Sequence, residues 1–288
     1  MGVIDLASFA ADVGAEGKVT IAGLGTRGGP VPGVRCVHAP SGMEWVQADE
    51  MVVCCGAGTP VAEVVDALAL HGQTVALPVG GTVGGALALG HSDVRRLGWG
   101  PVRDVLLQAR YVSAAGEVVK AGGPTVKNVS GFDLPRVLVG SRGTLGFLGE
   151  VILRTRPLAA RSQWYTATAT DPAAVFTALY RPVSVLWNQA EVWALLEGHP
   201  ADLAEQASAA GLTPTGGPPT LPTGSRRVLP PSALTSLNGA FVAEVGVGVV
   251  HHAEPWTPPD RSPRAVALAC ALRQEFDPTG RLNPGVDV

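Results

Sequence analysis

Apolar residues in the first half of the chain come in short compact runs separated by turn-forming residues, a pattern that predicts alternating strands and helices with short connections. Residues 18–22, 34–38 and 51–55 are β-rich runs. Residues 59–70 carry the period of a helix: Thr59 suits the cap, Pro60 the first position, and Val61, Val64, Val65 and Leu68 make one apolar face before Gly72. Residues 105–120 read as a β-hairpin, VLLQARYV followed by EVVKA, turned near Ala115 and Gly116. The apolar run 145–153 predicts a further strand.

The texture changes after Pro157. Residues 163–170, QWYTATAT, alternate like a strand with one buried face, and Asp171-Pro172 starts a short helix. Strands are expected at 190–196 and 240–250, with a Pro-, Gly-, Thr- and Ser-rich surface loop at 214–231. Ser262-Pro263 opens a last helix whose apolar positions, Ala265, Leu268, Ala269, Leu272 and Phe276, recur at helical spacing. There is no internal repeat, and the best single boundary divides 1–157 from 158–288.

Composition narrows the class. At 288 residues, 46% hydrophobic and 16% charged, the chain has enough apolar material for one large or two ordinary globular domains. A net charge of −3 gives no reason to expect nucleic acid or an anionic membrane as partner. Cys36, Cys54, Cys55 and Cys270 have no ligand-like spacing, so no structural zinc or iron–sulfur cluster is expected on this chain. The first residues lack the basic start and apolar core of a signal peptide, and no run reaches the ~18–20 apolar residues of a membrane span. The expectation is a cytoplasmic protein without a transmembrane segment, peripheral to the inner membrane only through partners.

The candidate chemistry lies in three glycine-rich segments. The richest, 122–150, sets its glycines beside Lys127, Asn128, Asp133, Arg136, Ser141, Arg142 and Thr144, too many polar groups for a core. Glycine there allows close backbone approach and positive φ. Residues 23–28 spell GxGxxG after a strand, with Glu44 about 20 residues on, as a dinucleotide fingerprint requires. The next residues, Gly29-Pro30-Val31-Pro32-Gly33, forbid the helix whose amides would meet the pyrophosphate. A diphosphate can instead rest on glycine amides curled into a loop. Residues 23–29 and 78–85 offer two such loops, and with the third segment they suit a long polar ligand with a diphosphate in its middle. The alternative is that each is only a tight turn.

Read in order, GLGTRGG (23–29), CGAGTPVAEVVDALALHGQ (55–73), PVGGTVGGALALG (78–90), RRLGWGPVRDVLL (95–107), VKNVSGFDLPRVLVGSRGTLGFLGEV (126–151) and FDPTGRLNPG (276–285) resemble a known family. It is the FAD-linked oxidases of the vanillyl-alcohol-oxidase (PCMH) type, and more narrowly the FAD-binding E subunits of bacterial glycolate oxidases. The likeness covers 18–157 and the last dozen residues, and is weak over 158–240. It implies an α+β fold: a two-subdomain FAD-binding domain followed by a short α+β cap domain. It implies FAD as cofactor, with Gly23, Gly25, Thr26, Gly80, Gly81 and Thr82 facing the pyrophosphate and Gly84 and Gly85 letting the backbone pass close. Gly131, Ser141, Gly143, Thr144 and Gly146 would lie along the flavin or its ribityl–adenosine arm, and Asn283 would return to the ring. Lys127 and Arg142 are candidates to stabilise the anion of reduced flavin.

The same resemblance implies partners: a catalytic flavin subunit and an iron–sulfur subunit, acting on a small 2-hydroxy acid whose hydride reaches flavin. Relatives that oxidise such acids carry a His-rich motif in the second domain, often with a metal. Here His38, His71, His91, His199, His251 and His252 are scattered, and strand alternation would put His251 and His252 on opposite faces. No catalytic residue and no metal ligand is therefore assigned, and a lone surface histidine is the expectation for that pair. Two alternatives stand beside the subunit reading: a self-sufficient FAD oxidoreductase of another alcohol, hydroxy acid or nucleotide sugar, and a non-catalytic assembly subunit that kept the FAD fold.

Overall fold

The computed structural model describes residues 4–124, 133–168, 171–259 and 261–286. They divide into two compact units, one made of Met1–Asp93, Pro101–Leu158 and Arg261–Val288, the other of Val94–Gly100 and Ala159–Asp260. The chain leaves the first unit near the expected boundary but comes back to it. Residues 261–286 therefore sit with the first unit, not with the second as the single cut at 157 had them.

The first unit holds two sheets. Strands β1 (Val19–Ala22) and β2 (Arg35–His38) pair in parallel. The larger, antiparallel sheet runs through β3 (Met43–Gln47), β4 (Val52–Gly56), β5 (Gln73–Val75), β6 (Leu106–Val112), β7 (Val118–Gly122) and β8 (Phe147–Pro157). Its order is β3-β4-β8-β6-β7, with β5 beside β8. The 11-residue β8, longer than the strand expected at 145–153, is the spine: it pairs with β4, β5 and β6. The predicted hairpin is β6–β7, in the register Val112↔Val118.

Helix Val61–Ala69 buries Val61, Val64 and Leu68, the face the spacing predicted. Its cap differs from expectation. The Thr59 hydroxyl does not cap it but donates to the Gly42 carbonyl and accepts from the Gly42 amide, and Pro60 stands at the N-cap. Together with Val53, Leu87, Leu106, Leu148 and Leu153 this helix forms the main core.

Residues 277–283 close the first unit by polar means. Arg281 donates through Nε to the Gly17 carbonyl, through Nη1 to Gly14 and Ala114, and through Nη2 to Val13 and Glu16. Asp277 Oδ1 and Oδ2 accept from the amides of Arg281 and Leu282. Leu282 is fully buried and bridges Val19. The motif at 276–285 thus ties the end of the chain to its beginning. The helix before it, Pro263–Phe276, buries no residue completely: Leu268 is 62% exposed, while Phe276 rests on the main core. Its apolar spacing predicted a covered face, and only its C-terminal end has one.

The second unit is a seven-stranded antiparallel sheet of β9 (Arg161–Thr168), β10 (Ser184–Trp187), β11 (Glu191–Gly198), β12 (Thr213–Thr215), β13 (Ser225–Val228), β14 (Phe241–Glu244) and β15 (Val249–His252), in the order β12-β9-β11-β10-β14-β15-β13. Helices Pro172–Ala178 and Pro200–Ala209 cover one face over Val185, Trp187, Val192, Ala194, Leu196 and Phe241. The strand expected over 240–250 is in fact the hairpin β14–β15. Gly246 and Gly248, both at φ +81°, make the reversal that a continuous apolar run concealed.

Candidate functional site

A cavity of about 310 Å³ opens in the first unit where β1, the loop after it, the start of helix Val83–Leu89 and the 141–148 turn converge. Gly23, Gly25, Thr26, Thr82, Gly84, Gly85, Ser141, Gly143, Gly146 and Asn283 line it, ten of the fourteen positions singled out from sequence. Gly80, Gly81 and Thr144 do not line it, and Gly131, with Lys127, lies outside the described residues. Arg142 does line it, in a positive-φ conformation at +52°.

The first wall is backbone. After β1 the chain runs from Gly23 to Val34 without a helix, as the two prolines require, so the GxGxxG spelling has no Rossmann mechanism behind it. Gly25 is at φ +70°, and a Cβ there would meet no protein atom within 4 Å, so it would enter open space. At Gly23 a Cβ would stand 3.0 Å from Thr82 Oγ1, which shows how closely the two glycine segments approach.

The second wall is not a simple loop. Thr82 accepts the Gly85 amide at 3.1 Å and caps helix Val83–Leu89, so Gly84 and Gly85 lie in its first turn. A Cβ on Gly84 would stand 2.9 Å from the Ala57 carbonyl, which itself accepts the Gly84 amide at 2.7 Å. Gly81 lies behind this wall, where a Cβ would collide with Thr26 and the Arg27 guanidinium.

The third wall is a turn held by its own side chains. The Ser141 hydroxyl donates to the Leu138 carbonyl and Thr144 to the Ser141 carbonyl, both at 2.8 Å. These hydroxyls are committed to the turn. Asn283 works similarly: Oδ1 accepts from Thr20 Oγ1 at 2.8 Å and the Ile21 amide at 3.2 Å, and Nδ2 donates to the Arg142 carbonyl at 2.6 Å. Its amide therefore fastens β1 to the 141–146 turn at the cavity edge and keeps one N–H uncommitted by those bonds. Gly143 is needed for this, because a Cβ there would stand 2.7 Å from Asn283 Nδ2.

These walls suit a flavin dinucleotide. Gly25 and Gly28 present positive-φ backbone to open space, and Ala57, Ala88, Leu89, Leu138 and Phe147 give an apolar lining for an aromatic ring system.

The second unit carries a polar group that the sequence did not reveal. Glu244, 2% exposed, accepts from or donates to His251 through Oε1···Nε2 at 2.8 Å, while Oε2 has no partner among the described residues. Register places Val242 opposite His251 and Arg226 opposite His251, so Glu244, His251 and Arg226 share the sheet face that helices Pro172–Ala178 and Pro200–Ala209 leave uncovered. Burial holds the Arg226 guanidinium below its ordinary value, with Glu244 opposing and Arg96 adding to the effect. The expected lone surface histidine is thus replaced by a buried His252 and a His251 paired with a carboxylate. Among the described residues, no group of three or more His, Cys, Asp or Glu side chains could hold a metal ion. No described helix is long and apolar enough to cross a membrane. Burial pushes the Cys54 thiol up to about 12 and the Cys55 thiol higher still, so neither is a nucleophile.

Comparison with known proteins agrees with this geometry. Residues 11–122 match the FAD binding domain family, and residues 232–286 match the C-terminal domain of FAD linked oxidases. The chain is 37% identical to a D-lactate dehydrogenase of Archaeoglobus fulgidus over 142 residues, 47% of this chain and 32% of that one. It is 34% identical to glycolate oxidase subunit GlcE of Escherichia coli over 186 residues, 59% of this chain and 52% of that one. It thus matches about half or less of the length of these relatives. An alkyldihydroxyacetonephosphate synthase structure superposes with a TM-score of 0.66 at 13% identity, covering 93% of this chain and 73% of that one, which shows a shared fold.

Proposed function

The chain belongs to the FAD-linked oxidase superfamily, with FAD as its cofactor, and on that premise we propose that it is the FAD-binding subunit of a glycolate-oxidase-like 2-hydroxy-acid dehydrogenase. The observation that carries the reading is the convergence of the 23–29, 82–85 and 141–146 segments on one cavity. Gly23, Gly25, Thr26 and Thr82 would hold the diphosphate through amides and hydroxyls. Gly84, Gly85, Gly143 and Gly146 would admit the rest of the cofactor to backbone distance. When bound, FAD supplies a two-electron acceptor for the α-hydrogen of a 2-hydroxy acid. Arg142, which lines the cavity, would supply a cation favouring an anionic reduced state. Its partners would be a catalytic flavin subunit and an iron–sulfur subunit, through which electrons would leave. Recovery of the tagged chain from its source together with both proteins tests this. Recovery with neither contradicts it.

The pair Glu244–His251 favours a second reading, oxidation by this chain alone. A buried carboxylate can hold an imidazole poised to take a hydroxyl proton, and Arg226 on the same face suits a carboxylate. Anaerobic mixing of the isolated, FAD-loaded chain with glycolate or D-lactate separates the two. Bleaching of the flavin supports the self-sufficient reading, and a flavin that stays oxidised supports the subunit.

A further inference from the structure

The family resemblance implies Gly80 and Gly81 as diphosphate contacts, yet both stand outside the cavity lining, and Arg27 meets them instead. Its guanidinium donates to three consecutive carbonyls: Nη1 to Gly80 at 2.6 Å, and Nη2 to Pro78 at 3.0 Å and Val79 at 3.1 Å. Arg27 belongs to the first glycine loop and the three carbonyls to the second. Beyond Gly80 the second segment is held from the other side, where the Gly81 carbonyl accepts the Val61 amide and the Thr59 carbonyl accepts the Val83 amide, each at 2.9 Å. Thr82, Gly84 and Gly85 reach the cavity from a stretch pinned at both ends.

We propose that Arg27 is a positioning residue that pre-forms the diphosphate cradle by clamping the 78–80 carbonyls onto the 23–29 loop. The proposal rests on the FAD-site reading above and deepens it. A planar guanidinium fork can serve three carbonyls at once in fixed directions, which an ammonium on a flexible stem does not reproduce. Gly81 is at φ +67°, and a Cβ there would collide with both the Arg27 guanidinium and Thr26 Oγ1, so a side chain would displace the clamp. Without the clamp the chain visits binding-competent geometry for a smaller fraction of the time, and apparent affinity falls by that fraction. The clamp is distinct from a simple counter-charge to the diphosphate, which any cation at position 27 would provide.

The test compares the full wild-type chain with Arg27→Ala and Arg27→Lys in two measurements: FAD titration of the FAD-free protein, and amide hydrogen exchange of the FAD-free protein. Both variants are expected to bind FAD about tenfold or more weaker, a loss in the range for hydrogen bonds to a charged group. Exchange is expected to rise over residues 79–85 in both and to stay unchanged in strand Leu106–Val112. A lysine variant that binds like wild type would reduce Arg27 to a counter-charge and overturn the clamp. So would unchanged exchange over 79–85, or exchange raised equally in Leu106–Val112, which would mark a general structural role. If wild type itself takes up no FAD, the cofactor-site reading fails; if wild type binds and the variants match it, only the clamp does.

Discussion

The two units present polar groups in opposite ways. In the first unit the cavity is made by backbone: glycines at positive φ, with the side chains of Ser141, Thr144, Thr82 and Asn283 turned to bracing neighbouring chain. In the second unit the polar cluster is made of side chains, Glu244, His251 and Arg226, brought together across three strands by register. A backbone site is written locally, as glycine spacing that sterics demand. A side-chain site depends on pairing between distant strands, and a run of sequence does not announce it.

Four perturbations sharpen this contrast, beginning with the largest. Arg281→Ala leaves the carbonyls of Val13, Gly14, Glu16, Gly17 and Ala114 without their donor, and should cost about 3 kcal/mol or more, read as a lowered urea midpoint. Next, Gly25→Val and Gly211→Val impose similar backbone strain, since the two glycines have φ +70° and +68° and open space beyond each. Each should lose about 1–2 kcal/mol of stability. Only Gly25→Val, at the cavity wall, should also weaken FAD binding, by about tenfold or more in a fluorescence titration. Equal FAD affinities would erase the distinction between the units.

A smaller effect is expected from Glu244→Gln, which keeps a hydrogen-bonding partner for His251 and removes the charge. FAD affinity in the same titration should stay within about twofold. Smallest is thiol labelling: exposed Cys36 and Cys270 should react with a disulfide reagent in the native chain, and Cys54 and Cys55 only after unfolding. With burial raising Cys54 to about 12, its thiolate is scarce throughout pH 7 to 9, so Cys54 should stay far slower to label than Cys36 and Cys270 in the native chain across that range.

Much of the first unit was legible because its signals are short-range. The β6–β7 hairpin follows from two β-rich runs around Ala115 and Gly116, and the Val61, Val64 and Leu68 stripe from helical period. The illegible parts are non-local. Thr59 looks like a helix cap until Gly42 arrives from β3's side of the sheet to take its hydroxyl. Residues 276–285 read as belonging to a second domain, whereas Arg281 and Asn283 find their partners more than 260 positions earlier, at Gly17, Gly14 and Thr20. In the second unit, Gly246 and Gly248 hid inside an apolar run that reads equally well as one strand or two. Gly80 and Gly81 were read as diphosphate contacts, but neither lines the cavity: a Cβ on Gly81 would collide with Arg27 and Thr26, and one on Gly80 would meet no protein atom within 4 Å.

The central claim is that FAD lies against the three glycine segments of the first unit. Hydrogen exchange of the full chain with and without saturating FAD tests it most directly. Added FAD is expected to slow exchange in peptides spanning residues 20–29, 82–89 and 139–148. Slowing that is absent from all three, or confined to peptides of the second unit, would contradict it.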